Sequence, residues 1–245
     1  MEPFSTLPVR RVERDPAAAA PPRPRDGWPW ALPAVAHLLA HGLDLGPLTV
    51  IVGQNGAGKS TLVEAVALAF GLSPEGGGTG ARHTTRVSES PLHEELRIVR
   101  GPGSARWGYF LRAETMHGLL TYLENNPRPG EAAFHEASHG EAFLSLTADP
   151  SRFAKPGFFV FDEPEAGLSF PSQMLFAEQV VDMVEHGAQV LIATHSPVIA
   201  ALQGATLLQV DESGLTQARW DELSLVDQYR RFLSDPEAYR TRIWQ

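Results

Sequence analysis

Cysteine is absent from the 245 residues, which excludes disulfides, thiol chemistry and any zinc held by cysteine. Lysine is almost absent too: only Lys59 and Lys155 occur, so arginine carries nearly all the positive charge. Acidic residues outnumber basic ones, 29 against 20, for a formal net charge of −9. That balance argues against a surface coated for nucleic acid, although a local basic patch is compatible with it. No apolar run approaches the length of a membrane span, and the first residues lack the pattern of a secretory leader. The expected location is cytoplasmic. Internal repeats and heptad runs are missing as well. A chain of this length can bury a full α/β core as one domain, residues 1–245.

What is present is concentrated in one stretch. Gly53-Gln54-Asn55-Gly56-Ala57-Gly58-Lys59-Ser60 fits G-x-x-x-x-G-K-[ST] at every position. Before it, Leu48-Thr49-Val50-Ile51-Val52 is a short apolar, β-rich run, the mark of a buried strand. After it, Leu62, Val66 and Phe70 recur every fourth residue beside Val63 and Ala67, so a helix is expected from near Lys59. A strand–loop–helix unit points backbone N–H groups and the positive helix end at a polyphosphate. Lys59 is then the residue that reaches the β- and γ-phosphates, and the Ser60 hydroxyl is the one that holds Mg²⁺. The expected ligands are ATP and Mg²⁺, with residues 53–60 and Thr61 around the phosphates.

The remaining chain supplies weaker signals. Residues 7–12 read as an edge strand, and 13–27, rich in alanine, proline and arginine, as a mobile linker. Residues 30–41 suggest a short helix, and Trp28 and Trp30 are candidates for stacking on adenine. Gly76-Gly77-Gly78-Thr79-Gly80 reads as a flexible loop, since neither lysine nor a helix follows it. Residues 96–100 and 106–111 look like strands paired across Gly101-Pro102-Gly103, and 116–124 turns helical.

A second informative stretch is Gly157-Phe158-Phe159-Val160-Phe161-Asp162-Glu163-Pro164. A buried strand ending in two carboxylates delivers Asp162 to the Mg²⁺ shell and leaves Glu163 to polarise the attacking water. Alone such a pair often caps a helix; after a phosphate loop it reads as catalytic. Pro171 starts a helix carrying Leu175, Val180, Val181 and Val184, ended by Gly187. The next buried strand, 189–194, ends at His195. Ligands bind at the carboxyl ends of parallel strands, so His195 shares an edge with Lys59 and Asp162.

Taken together, residues 53–60, Ser138-His139-Gly140-Glu141, 158–163, Glu165-Ala166-Gly167-Leu168-Ser169 and Ala193-Thr194-His195-Ser196 resemble the ABC-type ATPases. The likeness spans roughly residues 32–209. It is similar to the soluble branch with SMC-like and recombination-type heads, and closest to short, arm-less bacterial "predicted ATPases" of the AAA family. The resemblance implies a P-loop NTPase fold, a three-layer α/β sandwich with a mainly parallel central sheet and an antiparallel β portion. It also implies a small helical subdomain within 71–150 and a C-terminal extension over 210–245. Ser138, Gly140 and Glu141 would belong to the signature motif, 165–169 to the D-loop, and His195 would be the switch histidine. ATP would lie between two head-to-tail copies of the chain, a homodimer acting as an ATP-dependent switch in DNA maintenance or defence. The alternative is an ATPase subunit coupled to a membrane transporter.

Three features depart from that pattern. The signature reads Ser-His-Gly-Glu, not Ser-Gly-Gly-Gln. No glutamine lies between Asn55 and Gln173, so the Q-loop residue is missing, and Glu114, after Tyr109-Phe110-Leu111-Arg112-Ala113, stands in its place as a candidate metal ligand or a helix cap. Ser138 follows Ser60 too closely for long coiled-coil arms. A competing motif, His135-Glu136-Ala137-Ser138-His139, matches H-E-x-x-H and would make the chain a zinc hydrolase. Against it, Gly140 is expected to interrupt the helix such a motif needs, and no third ligand follows at a suitable distance. A P-loop kinase would share the phosphate loop but needs no signature, D-loop and switch histidine together.

Overall fold

The computed structural model describes residues 6–18, 27–79, 90–125 and 138–239. The chain begins with strand β1 (Arg11–Arg14), helix α1 (Pro33–His41) and strands β2 (Leu43–Asp44) and β3 (Leu48–Gly53). Then come α2 (Lys59–Phe70), β4 (Gly77–Gly78), β5 (Leu96–Val99), β6 (Gly108–Arg112), α3 (Met116–Asn125), α4 (His139–Thr147) and α5 (Pro150–Phe153). The last part holds β7 (Gly157–Asp162), α6 (Phe170–Glu185), β8 (Ala188–Thr194), β9 (Thr206–Asp211), β10 (Gly214–Gln217) and α7 (Ser224–Ser234). Among the described residues, no helix is long and apolar enough to cross a membrane.

Unbroken apolar runs decide the centre. β3, β7 and β8 are buried almost throughout, as strands covered on both faces must be. They sit inside a seven-stranded sheet ordered β10-β9-β3-β8-β7-β6-β4. The five inner strands run parallel, and β10 and β4 close the edges antiparallel. One apolar layer, with α1 and α2, covers the face carrying Ile51, Phe110, Phe158 and Val160. The other, with α3, α4 and α6, covers Val50, Phe159, Phe161 and Ile192. Phe176 of α6 lies 5.2 Å from both Phe143 of α4 and Phe161 of β7, ring centre to ring centre, and ties that layer to the sheet. Each such buried phenyl ring contributes about 1.5–3 kcal/mol. The result is an α/β three-layer sandwich with a mainly parallel sheet, and a smaller antiparallel sheet β2-β1-β5 stands beside it.

Several local expectations change. Arg11–Arg14 is the middle strand of the small sheet and not an edge, so Glu13 and Arg14 leave the expected linker. Glu13 pairs with Arg97 across β1 and β5; residues 19–26 of that linker lie outside the described residues. β5 and β6 are not a hairpin: β5 pairs with β1, while β6 runs parallel to β7. The reason is burial. Residues 108–111 are wholly buried and belong between two layers, whereas β5 has one exposed or half-buried face. Within segment 71–150, β6 lies in the main sheet beside β7. Gly77-Gly78 pairs with Phe110 and Tyr109 as an edge strand; Gly80 lies outside the described residues. β9 crosses the expected boundary at 210, and Leu223 and Val226 of the C-terminal part are buried in the core. In α6 the inward face is Phe176, Val180 and Met183, leaving Leu175 and Val181 exposed.

Candidate functional site

The carboxyl ends of β3, β7 and β8 meet at one edge of the sheet, and there the loop after β3 turns into α2. Gly58, the residue before α2, has φ +93°, and a Cβ there would press on Leu32 at 3.0 Å, so only glycine fits both conditions. A cleft of about 420 Å³ opens over this turn, lined by Trp28, Leu32, Asn55, Gly56, Gly58, Lys59, Ser60, Thr61 and Glu163. Gly53, Gln54 and Ala57 complete the loop behind it; Gly53 closes β3, and the Gln54 carbonyl accepts from Lys59 Nζ at 3.1 Å. Of the two tryptophans, Trp28 is exposed and faces the cleft. Trp30 is buried and donates to Glu95 Oε1 at 2.7 Å.

Three side chains converge: Lys59 opens α2, and Glu163 and His195 directly follow β7 and β8. Lys59 Nζ lies 2.9 Å from His195 Nε2, and the same nitrogen lies 3.1 Å from Glu163 Oε1. One ring nitrogen cannot accept from the lysine and donate to the carboxylate at once, so the two contacts belong to alternative proton positions. Burial lowers the Lys59 pKa, against the pull of Glu163, Asp162 and Glu165. Glu163 has φ +52°, the one positive-φ residue other than glycine among the described residues. Its amide donates to the Ala193 carbonyl at 2.9 Å, which holds the turn in place. Such strain in a side-chain-bearing residue clusters where function over-determines the backbone.

Asp162 closes β7 and is almost fully buried. Burial raises its carboxyl to about 6, against the Arg112 guanidinium and the Ser60 hydroxyl, which both lower it. Its Oδ1 is buried without a hydrogen-bond partner. An oxygen left bare beside a serine hydroxyl fits a hard cation such as Mg²⁺, which takes oxygen ligands. Ser60 and Asp162 are the residues that could hold it, and the chemistry it would supply is neutralisation of phosphate charge.

The loop after β7 reaches the other motifs. Glu165 Oε1 accepts the backbone N–H of His195 at 2.5 Å. Gln173 bridges Ser196 Oγ (2.6 Å) and the Leu168 carbonyl (3.1 Å). Ser138 caps α4 in a reciprocal box: Glu141 N donates to Ser138 Oγ at 3.3 Å, and Ser138 N to Glu141 Oε2 at 2.9 Å. The Ser138 hydroxyl, which donates to Glu141 Oε2 at 2.7 Å, and then the Ser138 amide hold the Glu141 carboxyl below its usual range. Gly140 lies inside α4 and does not interrupt it, and a Cβ there would stand 2.8 Å from the Gly167 carbonyl. Ser138, Gly140 and Glu141 do not line the cleft. Ser138 is extended, so His139 begins a helix instead of continuing one, and residues 135–137 of the H-E-x-x-H match lie outside the described residues.

Glu114 shares the Arg112 guanidinium with Asp162. It sits in the short turn Ala113–Thr115 with its carboxylate 83% exposed, 3.8 Å from Arg112 Nε. The residues that the sequence reading passed over are Arg112 and Glu64. Arg112 Nε donates to Asp162 Oδ2 at 3.1 Å and Nη1 to Glu64 Oε2 at 2.5 Å. The available signal was a charged residue closing the buried run Tyr109-Phe110-Leu111.

A glycine loop, a helix start and a carboxylate pair around one polar cleft define a P-loop nucleoside triphosphatase. Comparison with known proteins narrows this further. A family model described as "AAA domain" matches residues 41–103, and one described as "AAA domain, putative AbiEii toxin, Type IV TA system" matches 119–201. An uncharacterized ABC transporter ATP-binding protein of Haemophilus influenzae is 24% identical over 194 residues, 69% of this chain and 72% of the relative. The cytochrome c biogenesis ATP-binding export protein CcmA of Rhizobium johnstonii is 27% identical over 172 residues, 64% of this chain and 79% of the relative. The SMC head domain from Thermotoga maritima superposes with a TM-score of 0.44 at 15% identity, over 73% of this chain and 93% of that one. The family models and the curated relatives support an ABC-type ATPase, an enzyme that binds and hydrolyses ATP.

Proposed function

We propose that two copies of this chain close head to tail on Mg²⁺-bound ATP and that hydrolysis reopens them, an ATP-dependent dimerising switch. The observation that supports it is the Lys59–His195–Glu163 cluster. Phosphate entering the cleft draws Lys59 to itself and frees His195 Nε2. With a proton on Nε2 the ring then donates to Glu163 or to the γ-phosphate, and Glu163 is the base that takes a proton from the attacking water. Residues 53–61 wrap the phosphates through backbone N–H groups, and Trp28 stacks on the adenine. Asp162 and Ser60 are the residues that hold Mg²⁺, and Glu114 is placed to join them only after a shift of its turn. Ser138, Gly140 and Glu141 lie outside the cleft of their own chain, which supports a role at the nucleotide of a second copy.

Mixing two dead variants tests the dimer. Lys59→Ala has a dead loop and an intact signature; Ser138→Arg has the reverse. A mixed dimer regains one complete site, so activity should rise well above either parent. Mixed dimers that form and stay inactive contradict the shared site, and a Ser138→Arg protein that hydrolyses ATP normally removes Ser138 from it.

The process served is DNA maintenance or defence in this reading, and the family description that includes a toxin system favours it. If the chain acts on DNA directly, duplex binding should appear with ATP and fall steeply with salt. Absence of binding at low salt excludes direct action by the chain alone. The names of the transporter relatives favour the second reading, an ATPase subunit coupled to a membrane protein. Co-purification with a Glu163→Gln variant distinguishes the two by the partner recovered.

A further inference from the structure

Arg112 closes β6 directly opposite Asp162 in the parallel register, so both side chains leave the same face of the sheet, the one covered by α2. There Arg112 meets Glu64, which lies on α2 just past Lys59 and Ser60. Its guanidinium takes Asp162 Oδ2 with Nε at 3.1 Å and Glu64 Oε2 with Nη1 at 2.5 Å. All three side chains are largely buried, with 18, 3 and 9% exposure for Arg112, Asp162 and Glu64. Burial works against the Arg112 charge, but Glu64, Asp162 and Glu114 outweigh it and raise its pKa. Lys59, the other cation close by, is engaged with Gln54 and His195.

Without the guanidinium, two buried carboxylates would face one another next to Ser60. Such a pair must find a counter-ion, and a free divalent cation is the obvious one. With Arg112 in place, one oxygen of each carboxylate is taken and Asp162 Oδ1 remains bare. Mg²⁺ wants an octahedral oxygen shell, usually built from one or two carboxylates and the phosphates of the substrate. One free oxygen beside a fixed positive charge is too little to hold the ion alone.

We infer that Arg112 is the resident counter-ion of the metal site: it keeps divalent cations out of the empty site, so that the metal enters only with the triphosphate. This is a positioning role exerted through Asp162, and it rests on the proposed Mg²⁺ site at Ser60 and Asp162. The two claims separate experimentally.

Mn²⁺ serves as the probe, followed by loss of the free-ion signal in electron paramagnetic resonance. Wild-type protein should bind Mn²⁺ stoichiometrically with ATP and lose that on Asp162→Asn; failure of this arm removes the metal site itself. Without nucleotide, wild type should take up no stoichiometric Mn²⁺. Arg112→Gln should bind it without nucleotide, at least about tenfold more tightly than wild type, and adding Asp162→Asn should abolish the gain. Arg112→Lys keeps the charge and should exclude Mn²⁺ as wild type does. If Arg112→Gln is too unstable, Glu64→Gln with Arg112→Gln keeps the net charge of the trio and should still admit Mn²⁺. Nucleotide-free Mn²⁺ binding by wild type, or equal exclusion by folded Arg112→Gln or the double variant, overturns the inference. So does admission by Arg112→Lys.

Discussion

Among the described residues the cleft over the glycine loop contrasts with a larger groove, and the smaller hollow holds the chemistry. The cleft over the glycine loop is about 420 Å³, and beside it Lys59 from the start of α2 meets His195 and Glu163 from the ends of β8 and β7. The groove between α6 and α7 is about 790 Å³ and almost purely apolar, with Phe170, Met174, Val181, Leu202, Trp220 and Leu233 along it. Glu178, Tyr229 and Arg230 are ionisable residues along it, and among the described residues no hydrogen bond or ion pair joins them to one another. Volume reports how helices leave a gap, whereas reactivity follows strand ends, a bare buried oxygen and a strained backbone.

Substitutions in the two hollows should therefore part company. Glu163→Gln keeps the shape of the base but not its basicity. Turnover should fall by about 10²–10⁴-fold while ATP stays bound, read by phosphate release against equilibrium binding. Normal turnover would remove Glu163 from its role. Lys59→Ala deletes a charge-assisted contact to phosphate, and ATP affinity should fall by about 10–150-fold, from about 1.5–3 kcal/mol. A titration with a fluorescent ATP analogue would show it.

Trp28→Ala tests the wall of the cleft. Base stacking is worth about 1–3 kcal/mol, so the KM for ATP should rise several-fold or more with kcat unchanged. Trp30→Ala should instead lower the melting temperature through its lost bond to Glu95. Glu114→Ala should slow turnover about tenfold if its turn closes on the metal; unchanged kcat with a lower melting temperature would make it a cap. The smallest effect belongs to the groove. Val181→Ser or Leu233→Ser should leave ATPase activity within about twofold and stability within about 0.5 kcal/mol. A large loss of activity from either would erase the contrast between the hollows.

The cleft was the legible part because its information is local. The glycine loop, its strand and its helix are contiguous in sequence, and the run Phe158-Phe159-Val160-Phe161 announces a central strand by itself. Partner choice is not local. Residues 96–99 look the same whether they pair with 108–112 nearby or with Arg11–Arg14 far upstream, and only the closed structure distinguishes them. Arg112 escaped for a related reason. Its meaning comes from Glu64 and Asp162, each about fifty positions away. The stripe on α6 was misplaced because apolar residues occur on both of its faces, one against Phe161 and one open to the groove.

A Cβ at Gly140 would stand 2.8 Å from the Gly167 carbonyl, so the start of α4 packs against this loop with no room for a side chain at Gly140. A joint of that kind has no rotor to absorb a push. Close-packed peptide transmits displacement instead of damping it. From Gly167 the same loop runs back to Glu165, which grips the amide of His195, and His195 in turn touches Lys59 and Glu163. The exposed start of α4 is thus joined to the bottom of the cleft by a short run of contacts. The outer end of that path is Ser138, His139 and Gly140, the first two of them exposed.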